Sequence, residues 1–211
     1  MRGADKRPPM THRSRQILVI IVTAARLPLA AAAAALLAFA GAGSAAAWAA
    51  LGLLLAVEVS DAMDGVLARR LAVAGRFGEL FDPYCDSIAR LVTYSGLAWA
   101  GLCPWWLVLV MAVRDVSVAY IRIMCVISGR QVAARLSGKL KAVVQGLGAV
   151  VLAAMLAAAA PAAPLRSAVA WGVSAVTAWS LVDYFAAALR QKTASPPSNG
   201  HGRKAQAPRN A

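Results

Sequence analysis

The stretch DAMDGVLARRLAVAGRFGELFDPYCD runs from Asp61 to Asp86. It follows AAAWAALGLLLAVEVS (45–60) and leads into IARLVTYSGLAWAGL (88–102), both apolar enough to sit in lipid. Of the nine acidic residues of the chain, six fall between Glu58 and Asp86. An ionisable group at the centre of a membrane helix costs at least about 2.5–3.5 kcal/mol, which makes these residues functional candidates. Asp61 and Asp64 stand three apart, on one face of a helix, and Asp82 and Asp86 stand four apart, again on one face. A short loop joining the two helices makes them antiparallel neighbours, so four carboxylates can converge on one point.

The surrounding sequence sets the fold class. The chain has 211 residues, 60% of them apolar, against about 45–50% in soluble domains. The apolar residues are gathered into runs of about 20, the length of helix that crosses a bilayer core. Their Ala, Leu, Val and Gly content suits helices packed on helices. The sequence predicts an all-α, polytopic membrane protein with six transmembrane helices. Span one runs from about Gln16 to Ala40 and span two from about Ala45 to Leu71. Span three runs from Glu79 to Leu102, and span four from Pro104 to Ile127. Span five ends near Ala160, and span six runs from Arg166 to Leu189. Residues 72–78 read as a Gly-containing loop and 128–141 as a basic connector. Residues 1–15 form a polar, basic segment that can end as a short interfacial helix, 16–190 form the membrane domain, and 191–211 read as a disordered basic tail. The first apolar run has no convincing cleavage site and further spans follow, so it reads as span one and not as a signal peptide.

Orientation follows from the basic residues. Arg2, Lys6, Arg7, Arg13 and Arg15 precede span one, and Arg69, Arg70 and Arg76 lie between spans two and three. Arg130, Arg135, Lys139 and Lys141 lie between four and five, and Arg190 and Lys192 follow six. The turns at 41–44 and 101–104 carry no charge, and 160–166 carries only Arg166. Six spans with both termini in the cytoplasm satisfy every loop. The net charge of +13 is then an attraction to anionic lipid head groups. No helix-turn-helix, zinc-finger or RNP pattern accompanies it, so no nucleic-acid partner is expected. Cys85, Cys103 and Cys125 form no CxxC or Cys/His cluster and read as small buried apolar residues. His12 and His201 sit in polar segments, Asp183 is isolated on span six, and Trp99, Trp105, Trp106, Trp171 and Trp179 read as interfacial anchors.

Four converging carboxylates cannot all stay ionised without a counter-charge. Hard divalent cations fit an all-oxygen set, Mg²⁺, Mn²⁺ or Ca²⁺, and no His or Cys points to zinc. Two Mg²⁺ ions with open positions suit phosphoryl chemistry. Gly65 follows Asp64 directly and removes a side chain where a ligand or backbone must come close, at about 1 kcal/mol of helix propensity relative to Ala. Ala68 is also small, Arg69 offers a fork suited to phosphate oxygens, and Gly75 and Gly78 permit a tight loop. Several of the acidic residues have a plainer structural reading. Asp82 before Pro83 fits a helix N-cap, Glu58 or Asp61 can pair with an arginine on another span, and Glu79 can be solvated in the loop. Four carboxylates in register with the glycines and the arginine favour the site.

Read as D-x-x-D-G-x-x-A-R followed by G-x-x-x-D-x-x-x-D, the stretch resembles the signature of the CDP-alcohol phosphatidyltransferase family. Asp61, Asp64, Gly65, Ala68, Arg69, Gly78, Asp82 and Asp86 fill all eight defined positions. The six-span layout is also similar, so the resemblance covers most of residues 16–190. It implies transfer of a phosphatidyl group from CDP-diacylglycerol to an alcohol, with release of CMP. It implies that Asp61, Asp64, Asp82 and Asp86 hold two Mg²⁺ or Mn²⁺ ions and that Asp86 is the general base. Asp61, Asp64, Gly65, Ala68, Arg69 and Gly78 would line the CDP site. A homodimer and a bacterial-type cytoplasmic membrane, with the active site on the cytoplasmic side, are implied in the same way.

A second, basic cluster bears on the acceptor. Arg114 and Arg122, eight apart on span four, share a helix face, and Lys139 and Lys141 open span five. Together they could form a cationic pocket for a phosphorylated acceptor. RDVSVAYIR, SGKLKAVVQ and FDPYCD are similar to the phosphatidylglycerophosphate synthase branch of that family, which implies sn-glycerol 3-phosphate as acceptor. Two features depart from that branch: Asp115 stands where it usually has Glu, and SIAR follows Asp86 where a Lys is expected close behind. Inositol phosphate or another polar alcohol is the alternative within the class. Lys139 and Lys141 can also be head-group anchors, and Arg114 and Asp115 a structural ion pair. Outside the class stand a divalent-cation transporter and an inactive membrane scaffold. A conduit needs polar groups along its whole depth, and a scaffold has no need of an intact signature.

Overall fold

The computed structural model describes the backbone of residues 12–71, 76–128, 136–160 and 162–193, and the side chains of 20, 21, 23–60, 81–128, 136–160 and 162–190. The described residues form six helices: α1 His12–Phe39, α2 Ala45–Leu71, α3 Arg76–Trp99, α4 Trp105–Ile127, α5 Leu136–Ala157 and α6 Ala163–Thr193. Two of them, over Leu136–Ala157 and Ala163–Arg190, are long and apolar enough to cross a membrane by length and composition, and Thr23–Phe39 and Ala45–Ser60 are shorter apolar segments. Among the described residues, Asp82, Asp86 and Arg90 interrupt α3, and Arg114, Asp115 and Arg122 interrupt α4.

Several boundaries differ from the sequence expectation. Residues 76–78 are helical, so Gly78 lies in the first turn of α3 and not in a loop. Pro83 is inside α3, which removes Asp82 from the N-cap position. An interior Pro costs about 3 kcal/mol or more. The helix continues through it because α3 gains more by packing along α1 than one lost backbone bond costs. The basic connector is shorter than expected, since α5 begins at Leu136, and α6 extends through Thr193 into the expected tail. The expected short interfacial helix, within PPMTHRSRQIL (8–18), overlaps the start of α1, which is one continuous helix from His12 onward; residues 8–11 lie outside the described residues.

α1 packs against both α2 and α3, α5 against α2, α3 and α6, and α4 against α3 and α6. Among the described residues α2 and α3 meet through the Glu58–Arg90 pair and not through a closely packed interface. α1 lies against both instead. The α1–α3 contact is close: at Gly96 a Cβ would stand 2.6 Å from both the Cα and the carbonyl oxygen of Ala34.

The bundle is polarised along its length. The halves of the helices near the turns at 40–44, 100–104 and 158–162 form the apolar core: Ala33, Leu37, Ala50, Leu54, Leu97, Leu107, Met111, Leu152 and Val173 are all buried there. These turns are tied to one another. Gly43, at φ +74°, donates its N–H to the Leu156 carbonyl at 2.9 Å, and Arg166 Nη1 donates to the Gly101 carbonyl at 3.0 Å. The buried charged groups lie towards the other half, where α1, α3 and α5 begin and α2 and α4 end.

Candidate active site

The α3 carboxylates meet α1. Thr23 Oγ1 donates to Asp82 Oδ1 at 3.3 Å, and the Arg26 guanidinium forms an ion pair with Asp86. Thr23 and Arg26 are one turn apart on α1, as Asp82 and Asp86 are on α3, and the two helices run parallel, so the contact matches donor to acceptor twice. Arg26 is 4% exposed, whereas the Asp86 side chain is 38% exposed and Asp82 is exposed. Both carboxylates therefore keep faces open to a ligand.

One turn deeper, Glu58 of α2 and Arg90 of α3 form a two-pronged pair at 3.1 and 3.2 Å. This is the plainer reading offered for Glu58 from sequence. Gly146 of α5 makes room for it, because a Cβ there would collide with the Glu58 carboxylate and come 3.0 Å from Arg90 Nη1. Arg26, Glu58, Asp86, Arg90, Thr93 and Tyr94 line one cavity, which also reaches Leu54 and Ala149.

Asp61, Asp64, Gly65, Ala68 and Arg69 lie on the last three turns of α2, and their side chains are outside the described residues, as is that of Glu79. The described part of the site offers carboxylate and hydroxyl oxygens, a donor set that suits a hard divalent cation. No group of three metal-ligating side chains is assembled among the described residues. Asp82 and Asp86 are thus half of the expected set.

The basic cluster is assembled differently from its sequence reading. Arg114 Nη1 donates to Asp115 Oδ1 at 2.8 Å, and Lys141 Nζ to the same oxygen at 2.7 Å. Arg114 Nη2 donates to Ser180 Oγ at 2.8 Å, and Arg122 Nη2 to the Tyr184 hydroxyl at 2.9 Å. The Tyr184 ring lies 5.4 Å from both guanidinium carbons, so Arg114 and Arg122 share a face around one ring. Gly138 admits that ring, since a Cβ there would stand 3.1 Å from the Tyr184 hydroxyl. Lys139 is exposed, on a different face of α5 from the buried Lys141. Asp183, isolated in sequence, accepts from Ser137 Oγ at 2.5 Å. Asp115 Oδ2 is buried without a hydrogen-bond partner, which marks a place for water or a ligand.

Thr23, Arg26, Arg90, Ser180 and Tyr184 took no part in the sequence reading of the site. One signal was available: Arg26 is an ionisable residue inside the apolar run of span one, where a partner has to be found.

The sequence matches the model of the family described as CDP-alcohol phosphatidyltransferase over residues 17–179. The chain belongs to that family. Among curated relatives, a cardiolipin synthase (CMP-forming) of Streptomyces coelicolor is 44% identical over 68 residues, 32% of this chain and 31% of that protein. A probable phosphatidylglycerophosphate synthase of Mycobacterium tuberculosis is 33% identical over 101 residues, covering 48% of this chain and 46% of the relative. A CDP-diacylglycerol–glycerol-3-phosphate 3-phosphatidyltransferase of Bacillus subtilis is 32% identical over 89 residues, 42% of this chain and 46% of the relative. The matches thus span about a third to a half of the length of these relatives. The fold is similar to that of the M. tuberculosis phosphatidylinositol phosphate synthase in its apo crystal form, with a TM-score of 0.50 and 20% identity over 84% of this chain and 88% of that one.

Proposed function

We propose that this protein is a membrane-embedded phosphatidyltransferase of phospholipid biosynthesis. It moves the phosphatidyl group of CDP-diacylglycerol to sn-glycerol 3-phosphate and releases CMP. The observation that carries this reading is the pairing of Asp82 and Asp86 with Thr23 and Arg26 at the polar end of the bundle, in a chain whose α2 carries the other half of the eight-residue signature. Mg²⁺ or Mn²⁺, two ions held by Asp61, Asp64, Asp82 and Asp86, would neutralise the donor diphosphate and help CMP leave. Gly65, Ala68, Arg69 and Gly78 complete the CDP site. Asp86 takes the proton of the acceptor hydroxyl as its oxygen attacks the phosphorus that carries diacylglycerol. The new O–P bond forms as the bond to CMP breaks.

The acceptor is argued from the second cluster. Of its cations, Arg114 and Lys141 are held by the Asp115 carboxylate, and Arg122 donates to the Tyr184 hydroxyl. That leaves a smaller positive excess than four free cations would give, and Lys139 lies apart. Arg122 at Tyr184 is the more exposed of the two arginines and is the better placed to meet a phosphate. A modest positive excess also suits an acceptor whose phosphate is a diester. A lipid-borne acceptor is therefore the second reading, and the S. coelicolor relative bears the name of a CMP-forming cardiolipin synthase. A cation conduit fits poorly, because the apolar half of the bundle carries Leu37, Leu97, Leu107, Met111 and Leu152, each 0% exposed, across its depth.

The test is CMP release by the purified chain with Mg²⁺, CDP-diacylglycerol and a panel of sn-glycerol 3-phosphate, inositol phosphate and phosphatidylglycerol. Release with sn-glycerol 3-phosphate supports the first reading, and release with phosphatidylglycerol alone replaces it with the second. No release with any acceptor sinks the enzyme. In the same assay Asp86→Asn is expected to lower turnover at least about a hundredfold while CDP binding persists; unchanged turnover removes Asp86 from the base role.

A further inference from the structure

The end of the bundle away from the carboxylates carries a second cavity. The turn at 101–104 and the first turns of α6 border a groove of about 440 Å³, within the roughly 300–1,000 Å³ of small-ligand sites. Trp106 and Trp171 form one side of it as a tilted pair, with ring centroids 4.9 Å apart. Leu102, Pro104 and Ala170 add apolar wall, and Arg166 and Ser167 supply a charge and a hydroxyl. Arg166 is the only charged residue in 91–113 and 142–182. A cation here runs against the pattern of the chain, whose other basic residues gather at the opposite end. Arg166 is half-buried, and its Nη1 donates to the Gly101 carbonyl at 3.0 Å. Among the described residues its side chain has no further hydrogen bond and no carboxylate partner. Most of the guanidinium fork is therefore left for a ligand anion at the groove wall.

We propose that this groove binds the head-group phosphate of an anionic phospholipid from the leaflet around it. The inference rests on the membrane-embedded part of the reading above and not on the transfer reaction. The lining decides the occupant. A guanidinium fork matches phosphate oxygens. Indoles suit the head-group level of a bilayer, where their faces can pack on the glycerol backbone and the first methylenes. A free phosphate ion would give up hydration for one cation and gain nothing from the apolar wall, whereas a lipid gains from both. A head-group ammonium would find no carboxylate in this groove and would be repelled by the guanidinium, so a lipid of net negative charge is favoured over a zwitterionic one.

Tryptophan fluorescence of the full chain in vesicles of phosphatidylethanolamine with a minority of phosphatidylserine tests this, with bromine on the acyl chains of one lipid or the other as quencher. Phosphatidylserine is the anionic probe because it is neither donor nor acceptor in the proposed reaction. With the exposed Trp48, Trp99, Trp105 and Trp179 changed to phenylalanine, the groove pair holds the only indoles left. Per mole of quencher, phosphatidylserine is expected to occupy the groove about fivefold in preference to phosphatidylethanolamine, as one interfacial ion pair allows. Arg166→Gln keeps a donor for the Gly101 carbonyl but removes the charge, and is expected to abolish the preference. Should it fail to fold, Ser167→Glu, at an exposed position, sets a carboxylate in the groove with Arg166 and is expected to do the same. Equal quenching by the two lipids with Arg166 in place, or a preference that survives either substitution in a folded protein, overturns the proposal. Loss of the preference on adding inorganic phosphate at constant ionic strength makes the groove a free-anion site and overturns it too. No substrate is present, so these outcomes leave the transferase reading as it stands. No quenching by either lipid would overturn the membrane reading, and the groove with it.

Discussion

At the scale of single residues, the buried charges are held in small closed sets. Asp115 is the clearest: one oxygen accepts from Arg114 and Lys141, and its side chain is 6% exposed. Removing its charge leaves two buried cations facing one another. Asp115→Asn keeps the volume and is expected to cost about 3–5 kcal/mol of stability, seen as a fall in the thermal unfolding midpoint in detergent. A midpoint within error of wild type would show the set to be solvated and held open for a ligand. The two arginines and the lysine were legible in the sequence as a cationic cluster, since helical spacing places Arg114 and Arg122 together. What spacing could not tell was that Lys141 is held by Asp115, because that depends on how α5 is rotated against α4. Arg26 was hidden for a related reason. Its partner is sixty positions away in sequence, on a helix whose contact with α1 no local pattern encodes.

At the scale of elements, α1 and α3 hold the described half of the candidate site, and their closeness depends on one missing side chain. Gly96 lets the α3 backbone approach Ala34, and a Cβ there would meet backbone atoms at 2.6 Å, which cannot swing aside. Gly96→Ala is expected to push α1 off α3 and cost about 1–3 kcal/mol, the range for overpacking. Because the same contact positions Thr23 and Arg26 against Asp82 and Asp86, turnover is expected to fall with stability. Gly52→Ala is the control. A Cβ at Gly52 meets nothing within 4 Å, and the change is expected to be neutral or stabilising by up to about 1 kcal/mol through helix propensity. Equal unfolding midpoints and turnover for the two variants would refute the argument. The helices themselves were largely legible, because turn residues at 41–44 and 100–104 punctuate long apolar runs. The start of α3 was not. Gly78 and Pro83 both signal loop locally, and the packing of α3 on α1 overrides them.

At the scale of the molecule, polarity along the bundle predicts an orientation. Trp48, Trp99, Trp105, Trp106 and Trp171 are 39–67% exposed and lie within about two helical turns of the ends joined by 40–44, 100–104 and 158–162. Such a girdle belongs at a membrane–water interface. Trp179, four turns into α6 and 52% exposed, lies too deep in its helix to join it. Exposed Leu109, Val113, Val116, Ile123, Val143 and Leu147 on α4 and α5 continue an apolar surface between the two ends. The basic residues of the sequence mark the opposite end, which the positive-inside rule assigns to the cytoplasm. Cysteine labelling in intact cells with a membrane-impermeant maleimide reads this directly, because Cys85, Cys103 and Cys125 are buried and give little background. Cys103 is the native thiol nearest the uncharged turns, and burial pushes it up to about 12, so it stays protonated and unreactive at pH 7–8. Ala42→Cys, exposed in the α1–α2 turn, is expected to label in intact cells. Ser128→Cys, exposed at the end of α4, is expected to label only after the membrane is broken. The reverse pattern would invert the molecule and put the carboxylates outside, away from any cytoplasmic CDP-linked donor. Labelling of both positions in intact cells would mean that α2, α3 and α4 do not carry the chain across the bilayer an odd number of times, and the six-span arrangement would fall with it.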